Sequence, residues 1–179
     1  MGNTILNSQQ AMNLADGDPP QRAHLDPTSI RTQMEAALER AHESLVLAYD
    51  LAYLEAKRHC DQFHEGKGRA SDHGHTYGYI NSFVRRDGGT NVMRFQYRRP
   101  TGSGFIEREN IRMNANGYSG NAFKRAAHDY ERELAMDAEK DYARLRDQGK
   151  EIKGMIRKLR KMLSTRLSIE QEQCPDHSH

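Results

Sequence analysis

Five residues of metal-binding type crowd one short stretch of the chain: His59, Cys60, His64, His73 and His75. Imidazole and thiolate are common zinc ligands, and four of them in a tetrahedron make a structural site. The spacings match no standard finger, and Cys174 and His177 lie too far along the chain to complete a convincing set. His73-Gly74-His75, followed by Tyr77 and Tyr79, admits a second chemistry. A metal-dependent nuclease would hold its ion on the His73/His75 loop and could attack phosphorus with a tyrosine. Enzymes of that kind set an apolar residue between the two histidines on a buried strand, whereas Gly74 lies in a glycine-rich stretch. No metal and no cofactor are expected. The chain also lacks a phosphate loop, a dinucleotide fingerprint, a serine elbow and a helical zinc-protease motif. Its many carboxylates sit beside Lys and Arg at helix-surface spacing, as ordinary i,i+4 pairs. A non-enzymatic protein is the expectation.

Binding chemistry is better represented. Residues 77–112 carry seven arginines against three acids, and residues 150–166 carry seven Lys or Arg against Glu151 alone. Residues 28–66 are the reverse, with four basic and seven acidic residues. The formal net charge of +2 hides this segregation. Separated charge of this kind favours oriented contact with a polyanion. On a strand over residues 92–99, Arg94, Gln96 and Arg98 share one face while Met93, Phe95 and Tyr97 share the other. Arg85, Arg86, Arg99 and Arg112 lie nearby. A two-stranded ribbon fits the major groove, and arginine can grip guanine edges or phosphates with two bonds. Lys153, Arg157, Lys158, Arg160 and Lys161 line a helix that could neutralise phosphates. The same helix would also suit an anionic membrane or an acidic protein surface, and either basic surface could be a plain solvated face.

These residues need elements to carry them. Residues 1–25 are polar and read as a disordered tail, with Gly17, Asp18, Pro19 and Pro20 in a row. Asp26-Pro27 is a helix start, because Asp accepts orphan N–H groups and Pro suits the first helical position. Met34, Leu38, Ala41, Leu45, Ala48 and Ala52 then recur at alternating spacings of four and three, marking a coiled-coil-like seam on a helix over 27–63. That seam needs a partner, either in this chain or in a second copy. The glycine-rich stretch over 64–76 reads as a loop. A three-stranded antiparallel meander over 77–112 follows, with its first turn at Asp87-Gly88-Gly89. A second long helix is expected over 119–148 with Ser119 as N-cap, ended or weakened by Gly149, and a basic helix over 150–166. Residues 167–179 are polar and expected to fray.

The predicted fold class is α+β: two long helices packed with a small three-stranded antiparallel sheet, plus a C-terminal basic helix and disordered tails. Residues 26–166 are expected to form one domain. The mean hydropathy of −0.95 is low for a compact globule and is accounted for by long amphipathic helices with narrow apolar stripes. Two cysteines give no disulfide framework, no apolar run approaches a membrane span, and no secretory leader is evident at the N-terminus. A cytoplasmic location is expected.

From the hairpin to the second helix the chain resembles the MobI family of conjugative mobilisation proteins. The likeness rests on Phe83-Val84-Arg85-Arg86, a Gly turn, then Met93-Arg94-Phe95-Gln96-Tyr97-Arg98-Arg99. It continues through Ile111-Arg112-Met113 and Gly117-Tyr118-Ser119-Gly120-Asn121-Ala122-Phe123 to Tyr130-Glu131 and Glu139 to Tyr142. It covers roughly residues 77–147. The resemblance implies an auxiliary role at the origin of transfer, helping a separate relaxase start DNA processing. The expected partners are double-stranded DNA, the relaxase or other transfer proteins, and a second copy if the seam is not satisfied within the chain. The rival readings are a helical scaffold or adaptor holding an acidic protein partner, and the nuclease of the histidine loop.

Overall fold

A computed structural model describes residues 7–16, 26–75, 78–102, 105–115, 117–126 and 128–172. Among the described residues three helices and three strands follow in order: α1 Ser8–Asp16, α2 Pro27–Asp72, β1 Ile80–Asp87, β2 Thr90–Pro100, β3 Ile106–Asn110 and α3 Asp129–Glu172, with a 3-10 turn at Gly120–Phe123 before α3. The α+β class with two long helices and a three-stranded antiparallel sheet is thus observed. By contact the chain divides into two compact units, Leu47–Lys153 and Met1–Val46 with Gly154–His179.

Asp26 opens α2 as its composition requires. One carboxylate oxygen accepts from Thr28 N–H at 3.2 Å and the other from Ser29 N–H at 2.9 Å. The helix does not stop near residue 63 but runs on to Asp72, through the stretch expected to be a loop. Two contacts hold the extra turns. Gly66 lets α3 approach closely, since a Cβ there would lie 2.7 Å from Leu134 Cδ2, and Lys67 is an interior anchor at 2% exposure. Gly74, at φ +89°, ends the run with its N–H bonded to Ser71 O. Of the seam, Ala52 is buried, Leu38, Leu45 and Ala48 are half-buried, and Met34 and Ala41 are exposed.

The strand order is β1-β2-β3 with both pairs antiparallel. Gly88 and Gly89, at φ +53° and +72°, make the left-handed two-residue turn between β1 and β2. Ile80, Ser82 and Val84 on β1 and Met93, Phe95 and Tyr97 on β2 are buried, so one sheet face is interior. Phe95 is the centre of that interior. Its ring meets those of Phe63, Tyr118, Phe123 and Tyr142 at centroid distances between 5.1 and 6.0 Å, three of them edge-on.

Ser119 does not cap a long helix. It precedes the short 3-10 turn, makes no capping bond, and the turn inserts Phe123 into the core. Helix α3 begins ten residues later, at Asp129. Nor does Gly149 interrupt it: the two helices expected over 119–148 and 150–166 are one continuous α3. Glycine costs a helix about 1 kcal/mol relative to alanine. Here its bare backbone accepts the Tyr49 ring, which a Cβ would meet at 3.3 Å. Part of the N-terminal stretch expected to be irregular is helix α1, and α3 extends to Glu172 past the expected fraying point. Residues 173–179 lie outside the described residues.

In the unit of Met1–Val46 with Gly154–His179, Arg160 Nε donates to His42 Nε2 at 3.1 Å, and Ile156, Leu159 and Leu163 are half-buried. No helix among the described residues is long and apolar enough to cross a membrane.

Candidate nucleic-acid interface

The hydrogen-bond register decides which side chains share the open sheet face, because directly opposed residues project from the same side. Arg94 opposes Phe83, Arg85 opposes Val92, Gln96 lies between Asn81 and Asn110, and Arg98 opposes Arg108. These residues occupy the face opposite Phe95 and Tyr97, so Arg85, Arg94, Arg98 and Arg108 form one outward set. At about 3.4 Å per residue, Arg94 and Arg98 stand roughly 14 Å apart along β2. The one acid on this face is Asp87, at the turn, and it is held by Arg85 at 3.2 Å. Arg94 and Arg108 are exposed and Arg98 is half-buried. None of the three is ion-paired to another described residue.

The other hairpin arginines have different placements. Arg86 points to the helix side, bonded to Asp50 at 2.8 Å with its guanidinium 4.8 Å from the Tyr53 ring centre. That position fastens β1 to α2 and takes Arg86 out of the row. Arg99 pairs with Glu107 in the strand register, and Arg112 is exposed just beyond buried Ile111. Arg98 borders a cavity of about 360 Å³ lined also by Lys67, Gly78, Tyr79, Ile80, Asn81 and Ile106.

The basic helix proves to be the C-terminal part of α3, and its charges divide. Lys153 Nζ donates to Thr90 Oγ1 at 2.8 Å and approaches Gly89 O at 3.4 Å, so it grips the hairpin turn. Tyr49 grips the same turn from α2: its hydroxyl accepts from Asn91 N–H at 2.9 Å, and its carbonyl from Asn91 Nδ2 at 3.2 Å. Arg160 is engaged by His42, while Arg157, Lys158 and Lys161 are exposed.

The histidines scatter. His59 lies 3.2 Å from Asp141 and 3.7 Å from Glu55, and His64 Nε2 meets Ser82 O at 3.0 Å. His73, just past the end of α2, bonds Arg69 O of that helix at 2.7 Å, and His75 packs against the Tyr130 ring at 5.3 Å. Among the described residues no cluster of three His, Cys, Asp or Glu could hold a metal ion. Tyr77 lies outside the described residues.

Sequence reasoning missed a buried polar network beneath the sheet. Lys67 Nζ donates to Gly78 O at 2.9 Å, to Ile80 O, and to Glu131 Oε1 at 3.4 Å; Glu131 also accepts from Ile80 N–H. Burial holds the Lys67 ammonium below the usual lysine range, with Glu131 opposing the shift. The Ser82 hydroxyl meets Tyr142 OH at 2.7 Å, and the Ser82 carbonyl accepts from Cys60 Sγ at 3.4 Å. Glu139 accepts from Tyr118 N–H at 2.9 Å and from Arg146, which keeps the Gly117-Tyr118 backbone against α3. A charged residue four positions after Phe63 and seven after Cys60 was the available signal, since those positions share a helix face. Reading Gly66 and Gly68 as a loop concealed it.

A family model described as MobI protein matches residues 52–160, which span the second part of α2, the whole sheet and α3 as far as Arg160. No curated protein and no solved structure matches the chain.

Proposed function

The chain belongs to the MobI family and is thereby a conjugative mobilisation protein, and from that premise we propose that it is a non-enzymatic auxiliary factor that binds duplex DNA at the origin of transfer and helps a separate relaxase begin processing. It would act in the cytoplasm, without a cofactor. The observation that carries this reading is the outward sheet face, where Arg85, Arg94, Arg98 and Arg108 meet a single acid already paired to Arg85. Interleaved Asn81, Gln96 and Asn110 add neutral donors and acceptors able to meet base edges or sugar oxygens. Arg157, Lys158 and Lys161 would supply phosphate contacts without reading sequence.

The test is duplex binding, followed by anisotropy, across a salt series. One duplex carries the origin of transfer of the element that encodes the chain, and the other is a scrambled control. Binding should favour the origin, and log K should fall linearly with log salt. Replacing Arg94, Arg98 and Arg108 together with Ala should flatten that slope by about one unit for each phosphate no longer neutralised. Duplex binding that survives these changes together with Ala at Arg157, Lys158 and Lys161 would overturn the reading. A basic-face adaptor for an acidic protein would then explain the surfaces better.

A further inference from the structure

Helix α2 buries one stripe and leaves another bare. Tyr49, Ala52, Ala56, Cys60 and Phe63 face the interior. On the opposite side Leu47, Leu51 and Leu54 are 60%, 54% and 64% exposed. Their spacings of four and three place them in one row. The outer face of a water-exposed helix ordinarily carries charge, so three large apolar side chains in two turns call for a partner surface.

The charges at the two ends of the row say what that partner is. Continuing at helical spacing toward the N-terminus, the same face carries Glu43 and then Arg40; toward the C-terminus it carries Arg58 and then Asp61. All four are exposed, and among the described residues none of them forms an ion pair. Measured from the point between Asp50 and Leu51, Leu47 and Leu54 are equidistant, as are Glu43 and Arg58, and Arg40 and Asp61. The charges at equal distance have opposite sign. Turned end over end, the row is therefore complementary to itself.

We propose that this face of α2 pairs antiparallel with the same face of a second copy of the chain, about a two-fold axis beside Leu51. Leu47 then packs against Leu54 of the second copy, Glu43 against its Arg58, and Arg40 against its Asp61. Each contact occurs twice, as a two-fold interface requires. A parallel pairing in register would set Arg40 on Arg40 and Glu43 on Glu43, which repel. At 1.5 Å per residue the paired segment from 40 to 61 is about 33 Å long. One helix pair of that length is a small interface, so the dimer dissociates on dilution. This inference does not depend on DNA binding.

Sedimentation velocity of the full chain over a range of concentrations tests it. The wild type should pass from monomer to dimer. Leu51→Asp should remove the dimer while circular dichroism shows the helices intact. Arg58→Glu alone should weaken it about tenfold, the equivalent of about 1.4 kcal/mol. Glu43→Arg combined with Arg58→Glu should restore it, because the swap re-forms both pairs, and a merely folding-related defect would not be rescued. With Cys174→Ser in place, Leu51→Cys should cross-link to itself, and Leu54→Cys should cross-link to Leu47→Cys but not to itself. A chain that stays monomeric throughout, a dimer indifferent to Leu51→Asp, or Leu54→Cys cross-linking to itself would overturn the proposal.

Discussion

Lys67 Nζ lies 3.4 Å from Glu131 Oε1 with the two side chains 2% and 0% exposed, an ion pair between α2 and α3 wholly inside the protein. It also binds the carbonyls of Gly78 and Ile80, and so sets where β1 begins. Removing one partner leaves a buried charge without compensation, at a cost of about 3–5 kcal/mol. Lys67→Met should lower the denaturation midpoint accordingly. Glu131→Gln keeps an acceptor for Ile80 N–H, so the double variant should be less destabilised than the sum of the single ones. Additive losses in chemical denaturation would contradict the coupling.

Two glycines leave room for the buried carboxylates. A Cβ on Gly117, at φ +100°, would overlap the Glu139 carboxylate, and one on Gly78 would overlap that of Glu131. Gly117→Ala combines left-handed strain with that overlap and should destabilise by at least about 2 kcal/mol. Gly68→Ala, where nothing lies within 4 Å, is the matched control. It should leave stability unchanged or raise it by up to about 1 kcal/mol, as helix propensity dictates. Equal effects at both positions, read from thermal melts, would refute this account of Gly117.

His64 supplies a pH dependence. Its hydrogen bond with Cys60 raises its pKa, burial opposes the rise, and the Ser82 carbonyl adds to it. A histidine whose folded pKa is raised contributes stability below its unfolded pKa of about 6.5, and that contribution is lost as pH rises through the folded value. Melting temperature should therefore decline above about pH 6.5, and His64→Gln should flatten the decline. A profile identical in the two proteins would rule out His64 as the source.

The histidine loop should prove chemically inert. Treatment with a chelator should change neither the melting temperature nor duplex binding, and His73→Ala should behave as wild type. Stoichiometric zinc in the purified protein, lost on His73→Ala, would show otherwise.

The Lys67–Glu131 and Glu139–Arg146 contacts mark where the sequence stops being informative. Strand alternation placed Arg94, Gln96 and Arg98 on one face and Met93, Phe95 and Tyr97 on the other, because a two-residue period needs no tertiary knowledge. The Asp26 cap and the Gly88-Gly89 turn were legible for the same reason, each being local chemistry. The ends of α2 and the continuity of α3 were not. Gly66 and Gly149 read locally as breaks, yet each faces a side chain from the other long helix, Leu134 and Tyr49, that fills the missing volume. Arg108, counted among the seven arginines of residues 77–112, has no assigned place in the row from sequence, because only its register opposite Arg98 brings it there and register is a property of two strands together. Strand alternation also puts Arg85 and Arg86 on opposite faces, so only one can join the row; what it leaves open is the partner that Arg86 finds on the helix side, Asp50, far away in sequence.

The turn between β1 and β2 is held from both long helices, by Tyr49 through Asn91 and by Lys153 through Thr90. Hairpin tips usually keep much of their conformational freedom, and a ligand must then supply the free energy to order them. Here that entropy is surrendered at folding. A partner meeting this hairpin would find its turn already shaped, and would have little ordering of that turn to drive.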